Sequence, residues 1–241
     1  MNALAFGIWR CEWSLLFGAR VRDRPRAHAV LLMSSHLSAR GRRADAGEDD
    51  ATLIRWATGG DRRAFELLYR RHVDFVWSRL TRLIGPDPER EDLTQQLFLE
   101  VFRHLSRYRG EASFRTYLGR VAVNIACDHL GRRRRRPQAI SADILETLIA
   151  PEASPEARVE QRQRLQLTWS VLDGIKPKKR VAFILRAVEG MSLEEVSGLV
   201  GASVATVAKR VKHAENEIVR LLARRSRDEG SRGNTGLRGD E

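Results

Sequence analysis

Aromatic and basic side chains alternate between residues 107 and 136, and their chemistry suits contact with nucleic acid. The residues concerned are Arg107, Tyr108, Arg109, Phe114, Arg115, Tyr117 and Arg120, followed by five consecutive arginines at 132–136. Aromatic rings can stack on unpaired bases, with ~1–3 kcal/mol per base, while guanidinium groups pair with backbone phosphates. The segment therefore predicts a surface for single-stranded nucleic acid. Spacing alone equally allows Tyr117 to be a core residue and Asn124 a solvated one.

Spacings of three and four residues separate Tyr117, Arg120, Asn124 and Asp128, which places these four side chains on one face of a helix. An amide such as Asn124 can read the edge of a base. The arginine run could simply complement the negative end of a helix, but five cations exceed that need and favour phosphate contact. The contacts predicted for this surface are Arg107, Tyr108, Arg109, Tyr117, Arg120, Asn124, Asp128, Arg132 and Arg133.

A second candidate site lies between Ser192 and Ala214, where the pattern predicts a helix–turn–helix. Ser192 and Glu195 have the spacing of a capping box, Gly201 provides the turn, and Ser203 can cap the following helix. With Val196, Val200, Val207 and Val211 pointing inward, the outer face is basic and suits the major groove of DNA. The predicted contacts are Ser203, Ala205, Thr206, Lys209, Arg210, Lys212 and His213. The alternative is an ordinary helical hairpin with a solvated charged face.

Helices must position both surfaces, because apolar residues recur throughout at spacings of three, four and seven. We predict a helix capped by Asp61 and ended by Gly85, a second over about 90–105, and a third that Ser113 caps. The final helix is expected from Val204 to about Leu222. Strand patterns are absent from the sequence, so the predicted fold class is all-α, with two helical domains joined by a flexible linker.

The predicted organisation has five parts. Residues 1–48 form an N-terminal extension expected to be disordered, with Met33 as an alternative start, and 49–136 form the first domain. Residues 137–157 contain Pro137, Pro151 and Pro155 and form the linker, which reaches roughly 70 Å when fully extended. The helix–turn–helix domain covers 158–224, and a disordered tail covers 225–241.

Composition narrows the classes of function. Lysine and arginine number 43 against 31 acidic residues, a net charge of +12, which favours a polyanionic partner. Cys11 and Cys127 lack partners at metal-binding spacing, and no apolar run reaches the ~20 residues of a membrane helix. We expect a cytoplasmic protein without membrane insertion, catalytic residues, metal, cofactor or small-molecule substrate.

Two sets of segments together resemble the extracytoplasmic-function group of sigma factors of bacterial RNA polymerase. Segments 92–98 (DLTQQLF), 108–114 (YRGEASF), 116–118 (TYL) and 123–128 (VNIACD) resemble their promoter-melting domain. Segments 189–196 (EGMSLEEV) and 205–207 (ATV), with Arg210, resemble their helix–turn–helix domain. The resemblance covers about residues 50–224, with the two sets in the expected order.

The resemblance implies a sigma factor that binds core RNA polymerase, recognises promoter DNA and melts it. Asp92, Gln95 and Gln96 would contact the clamp helices of the largest polymerase subunit. The loop at 107–113 would receive a flipped base of the −10 element, which Tyr117, Arg120, Asn124 and Asp128 would face. Thr206, Lys209, Arg210 and His213 would enter the −35 major groove while the second domain rests on the polymerase flap. An anti-sigma factor is a further candidate partner by resemblance.

Three other classes compete with this interpretation. A stand-alone helix–turn–helix regulator would leave segments 92–98 and 108–114 without a role. A nucleic-acid enzyme would need clustered metal-binding acids, which the sequence lacks. A membrane-surface protein would have to use the apolar segment near the N-terminus.

Overall fold

A computed structural model of the chain describes residues 47–135 and 154–233, and all regular structure within these ranges is helical. The N-terminal unit consists of α1 (Asp50–Thr58), α2 (Arg62–Ile84), α3 (Arg90–His104) and α4 (Phe114–Arg135). The C-terminal unit consists of α5 (Pro155–Asp173), α6 (Pro177–Phe183), α7 (Leu193–Val200) and α8 (Val204–Gly233). A 3₁₀ turn, Leu105–Arg107, follows α3, and a π turn, Ile184–Val188, extends α6.

The helix boundaries follow from capping residues that the sequence identifies. Asp61 accepts hydrogen bonds from the backbone N–H groups of Arg63 and Ala64 at 2.9 and 3.1 Å. The Ser192 hydroxyl accepts from the Glu195 N–H at 3.1 Å, and the Glu195 carboxylate accepts from the Ser192 N–H at 2.7 Å. These bonds satisfy amide groups that have no partner inside their helix. The predicted caps are confirmed.

Helices α2, α3 and α4 bury a shared apolar core in the N-terminal unit. Two ring pairs lie edge to face in it, Phe65 against Phe102 at 4.5 Å between centroids and Tyr69 against Phe98 at 4.6 Å. The apolar residues that recur at helical spacing along α3 and α4 point inward, with Phe102 only partly buried. The buried ones are Leu93, Leu97, Phe98, Val101, Phe114, Leu118, Val121, Ala122 and Ile125, together with Leu105 of the 3₁₀ turn.

In the C-terminal unit, the helix–turn–helix has the predicted arrangement. Gly201 adopts the left-handed conformation (φ 62°, ψ 40°) that lets α7 stop and the chain turn toward α8. Val196, Val207 and Val211 are buried, whereas Val200 is half-exposed. Leu199, which the pattern analysis did not name, is the additional buried residue of α7.

Three boundaries differ from those predicted. Helix α5 begins at Pro155, inside the predicted linker, because Ser154 caps it and proline is well tolerated in a first helical turn. Helix α8 continues to Gly233, past the expected end near Leu222. Helix α1 is a separate element that begins after Asp49, whose carboxylate accepts from the Thr52 N–H at 2.9 Å. The predicted N-terminal extension up to residue 46 and the part of the predicted linker over 137–153 lie outside the described residues.

The two units pack directly against each other. Helix α4 contacts α6 and α7, and the buried residues of both units form one continuous apolar cluster. Gly85, at the end of α2, lies so close to Trp169 of α5 that a methyl group on it would be 2.7 Å from a ring carbon. Only glycine fits this approach, which its positive φ of 86° also favours.

Candidate nucleic-acid interface

One face of α4 presents to solvent the residues that are predicted to contact the −10 element. Arg120, Asn124, Asp128 and Arg132 are all exposed, whereas Leu118 on the opposite face is completely buried. The structure therefore brings these four side chains together along one helix, as their spacing of four residues requires.

Three aromatic rings cluster beside the start of α4. Tyr108 lies 5.3 Å from Tyr117 and 5.7 Å from Phe114, and Phe114 lies 6.1 Å from Tyr117, measured between ring centroids. Phe114 is buried, while the two tyrosines are half-buried and present part of each ring to solvent. The Tyr108 hydroxyl donates to the carbonyl of Ala112 at 2.5 Å, which closes the loop over 108–112. Burial raises the pKa of both tyrosines above its ordinary value.

Arginines 107 and 109 flank this cluster, and both are exposed. A base that leaves a DNA duplex would meet half-exposed rings with cations on either side. This is the combination of stacking surface and phosphate contacts that single-stranded nucleic acid requires.

Arg133 has a different environment from the other predicted DNA contacts. Its guanidinium pairs with Asp87 at 3.0 Å and with Asp173 of the C-terminal unit at 2.9 Å, and only 10% of the side chain is exposed. Asp87 also accepts from His129 Nε2 at 2.7 Å. In this structure Arg133 therefore connects the two units, while its neighbour Arg132 faces solvent.

The predicted polymerase-binding residues lie on the outer face of α3. Asp92 and Gln96 are exposed and Gln95 is half-buried. Leu99 follows on the same side with 36% of its surface exposed. The face thus combines polar groups with one apolar anchor.

Helix α8 presents most of the predicted DNA contacts to solvent. Ala205, Thr206, Lys209, Lys212 and His213 are exposed, and Arg210 is half-buried. Ser203 is exposed as well, but its hydroxyl already caps α8 by accepting from the Thr206 N–H at 3.3 Å. The cations among these residues form a basic outer face.

The two candidate DNA surfaces lie close together in this arrangement. A methyl group on Gly119 of α4 would be 3.2 Å from Leu199 of α7, and one on Gly198 would be 4.0 Å from the guanidinium of Arg120. Lys178 and Arg210 of the C-terminal unit lie close enough to Cys127 on α4 for their positive charges to lower the pKa of its thiol. The helix–turn–helix therefore packs beside the row of α4 that is predicted to face the −10 element.

The described residues contain neither a membrane-spanning helix nor a cluster of metal ligands. No helix there has the length and apolarity to cross a membrane. No group of three or more histidine, cysteine or acidic side chains there is arranged to hold a metal ion.

Comparison with known proteins identifies both units. Residues 68–136 match the family Sigma-70 region 2, and residues 165–218 match Sigma-70, region 4. The chain is 30% identical over 176 residues to the ECF RNA polymerase sigma-E factor of Escherichia coli K12, a match covering 70% of this chain and 92% of the relative. It is 31% identical over 183 residues to the RNA polymerase sigma-H factor of Pseudomonas aeruginosa PAO1, covering 73% and 94%.

Two solved structures are also similar. CnrH in complex with the cytosolic domain of CnrY has a TM-score of 0.47 and 25% identity, covering 74% of this chain and 98% of that one. The sigma factor RpoE in complex with the anti-sigma factor NepR from Bartonella quintana has a TM-score of 0.47 and 18% identity, covering 66% and 96%.

A region 2 followed by a region 4 defines a transcription initiation factor of the sigma-70 class. The chain belongs to the extracytoplasmic-function sigma factors within that class. It binds core RNA polymerase and directs promoter recognition and DNA melting. The resemblance seen in the sequence is thus confirmed, as is the all-helical fold of the described residues.

Proposed function

We propose that three surfaces of this chain divide the work of initiation, and that the chain catalyses nothing itself. The outer face of α3 holds the polymerase, α4 with the aromatic cluster takes the −10 element, and the start of α8 takes the −35 element. The cytoplasm is the proposed location, because polymerase and chromosome are there. The observation that carries the proposal is the exposed row of Arg120, Asn124 and Asp128 beside half-exposed Tyr108 and Tyr117.

Melting is proposed to be driven by binding alone. Flipping a base out of a duplex costs a few kcal/mol, and stacking on an aromatic ring returns ~1–3 kcal/mol per base. Tyr108 and Tyr117 offer the rings, and Arg107, Arg109 and Arg120 offer charge for the displaced strand. Asn124 is the proposed reader of a base edge, since its amide both donates and accepts hydrogen bonds.

The −35 contacts are proposed to come from the exposed residues of α8. Thr206, Lys209 and His213 recur at spacings of three and four and therefore face one groove. Lys212 and Arg210 would meet phosphates at its edges, with Arg210 first leaving its half-buried position beside α4. Residues 136–153, fully extended, span roughly 60 Å, which permits the two units to separate.

The −10 assignment is tested with Asn124→Ala in reconstituted polymerase. Permanganate reactivity of promoter thymines, which reports unpaired bases, should fall while binding to core polymerase stays at the wild-type level. Asn216→Ala is the matched control, because Asn216 is an exposed asparagine of α8 outside the proposed contacts. Thymine reactivity equal to wild type in the Asn124 variant would reject its role.

The polymerase assignment is tested with Asp92→Ala combined with Gln95→Ala. Affinity for core polymerase, measured by fluorescence titration, should decrease while the helical content stays unchanged. The control is Asp74→Ala, which removes an exposed carboxylate from α2 instead of α3. A double variant that binds core polymerase as tightly as the control would contradict the assignment. An anti-sigma partner remains a prediction for this chain.

A further inference from the structure

A cluster of arginines at the junction of the two units shares a single carboxylate. Arg79 and Arg82 of α2 both pair with Glu189, which follows the π turn of the C-terminal unit, at 2.9 and 3.2 Å. The Glu189 side chain is only 8% exposed and that of Arg79 only 9%. Arg115 of α4 lies over the ring of Phe75 at 4.1 Å and adds a third positive charge nearby.

Arg79 is poorly satisfied by this arrangement. Its Nε and Nη1 atoms are buried and have no hydrogen-bond partner, although a guanidinium has five N–H donors. Burial lowers the pKa of Arg79, and the charges of Arg82 and Arg115 lower it further, whereas Glu189 raises it. An unpaired donor on a buried charged group is costly. The arginines therefore offer more hydrogen-bond donors and positive charge than the single carboxylate of Glu189 satisfies.

Glu189 cannot remain on these arginines while both promoter elements are bound. It belongs to the unit that takes the −35 element, whereas Arg79 and Arg82 belong to the unit that takes the −10 element. The elements lie about two helical turns apart, and each turn is roughly 34–36 Å. The contacts of about 3 Å between Glu189 and the two arginines must then break. The arginines become accessible to any group that lies beside the −10 face of α4.

The exposed site would adjoin that face directly. Arg79 Nη1 lies 4.0 Å from the position that a methyl group on Gly119 would take. Gly119 immediately precedes Arg120, the first member of the proposed −10 row. A strand of DNA that follows α4 would thus bring its backbone past Arg79 and Arg82.

We propose that Arg79 and Arg82, with Arg115 beside them, form a binding site for a backbone phosphate of promoter DNA, which Glu189 occupies when the two units are packed together. The two unesterified oxygens of a phosphodiester accept hydrogen bonds from guanidinium groups as a carboxylate does. The site is additional to the −10 and −35 contacts, and it rests on the sigma-factor function of the chain.

The test measures how salt affects promoter binding by the complete chain assembled with core polymerase. Each lost phosphate contact on duplex DNA lowers the slope of log affinity against log salt by about 0.9. Arg79→Gln and Arg82→Gln should each lower the slope, and the double variant should lower it by about this amount in total, because both arginines contact one phosphate. Arg70→Gln is the matched control, because Arg70 is another arginine of α2, is 71% exposed and pairs with Glu66. It should keep the wild-type slope.

A second measurement separates phosphate binding from a purely structural role of the arginines. Without polymerase, Glu189→Gln should increase the affinity of the full chain for a single-stranded −10 oligonucleotide, because it removes the competing carboxylate. Adding Arg79→Gln or Arg82→Gln should abolish that gain. If the arginines only hold the units together, each arginine variant should instead increase the affinity as Glu189→Gln does.

The outcomes also distinguish failure of the phosphate site from failure of the sigma-factor function on which it rests. Wild-type slopes in both arginine variants, with transcription intact, overturn the phosphate site and leave the sigma factor assignment standing. If the wild-type chain and core polymerase fail to bind any promoter, the function itself is rejected. Should Arg79→Gln fail to fold by circular dichroism, Arg82→Gln decides alone, since the Arg82 side chain is 26% exposed.

Discussion

The guanidinium of Arg180 donates a hydrogen bond of 2.8 Å to the carbonyl oxygen of Ile84, from α6 of the C-terminal unit to the last residue of α2. It donates a second bond of 3.1 Å to the carbonyl of Leu83, and only 1% of Arg180 is exposed. The last carbonyls of a helix lack partners within the helix and carry partial negative charge. The buried guanidinium of Arg180 in region 4 therefore supplies hydrogen-bond donors to the last carbonyls of a region 2 helix.

We predict that Arg180→Leu weakens the packing of the two units. The substitution leaves the buried carbonyl of Leu83 unpaired, at a cost of roughly 1–3 kcal/mol, and leaves the carbonyl of Ile84 with only the long bond of 3.5 Å from Arg133 Nη1. Small-angle scattering of the free chain should show a larger radius of gyration, and urea unfolding should begin at lower concentration. Arg164→Leu is the control, since the exposed pair of Arg164 with Glu160 is expected to contribute less than about 1 kcal/mol. Equal behaviour of the two variants would contradict the prediction.

We also predict that Gly85→Ala destabilises the chain more than Gly60→Ala. Both glycines have positive φ values, 86° and 92°, and Gly85 also has ψ −160°, a combination that essentially only glycine adopts. A methyl group on Gly60 meets nothing within 4 Å, whereas one on Gly85 would lie 2.7 Å from Trp169. Overpacking of this kind typically adds about 1–3 kcal/mol.

Thermal unfolding of the two alanine variants measures the difference. Adding Trp169→Leu to Gly85→Ala gives a double-mutant cycle, in which the smaller side chain should relieve the steric part of the cost. Purely additive effects in this cycle would show that the contact between Gly85 and Trp169 does not form.

The helices and their caps were predictable because each depends on residues close together in sequence. Asp61, Ser192 and Gly201 act within one or two turns of their own helices, so their types and spacing were sufficient. The same reasoning could have found α1, since Asp49 precedes an apolar pattern at Leu53 and Ala57. The end of α8 was predicted too early, because glycine and charge after Arg225 indicated a disordered tail.

The relationship between the two units was not predictable from the sequence. Arg133 lies in a run of five arginines, and local sequence gives no sign that it pairs with both Asp87 and Asp173. Its partners are 46 and 40 residues away along the chain. Arg79, likewise, appears in the sequence as one of many helical cations. Such long-range pairs depend on how the units dock, which no spacing rule encodes.

The acid sensitivity of the fold is predicted to involve Asp87. Burial by itself would raise its pKa, but the hydrogen bond and charge of His129, the Glu89 N–H and the charge of Arg133 outweigh burial and lower the pKa below its ordinary value. A carboxylate with a lowered pKa stabilises the folded state above its unfolded pKa of about 3.9. That stabilisation is lost as the pH falls through the folded pKa.

Asp87→Asn should therefore lower the free energy of unfolding at pH 6 and reduce its decline between pH 5 and pH 2. Urea unfolding at a series of pH values provides the measurement. Asp74→Asn, at an exposed position of α2, should follow the wild-type acid dependence. An Asp87 variant with an unchanged acid dependence would show that the contacts with His129 and Arg133 do not govern this carboxylate.

The thiol of Cys127 is predicted to report the separation of the two units. Burial raises its pKa to about 11, with Asp128 adding to the rise and Lys178 and Arg210 opposing it. A buried thiol with so high a pKa reacts slowly at pH 8, because the thiolate is the reactive form. In a Cys11→Ser background, Glu189→Lys should speed the reaction of Cys127 with a thiol reagent, since a third cation beside Arg79 and Arg82 drives the units apart. Glu194→Lys, at an exposed position of α7, controls for the change in charge. Equal rates in the two variants would show that Cys127 is shielded within its own unit rather than by the packing of one unit on the other.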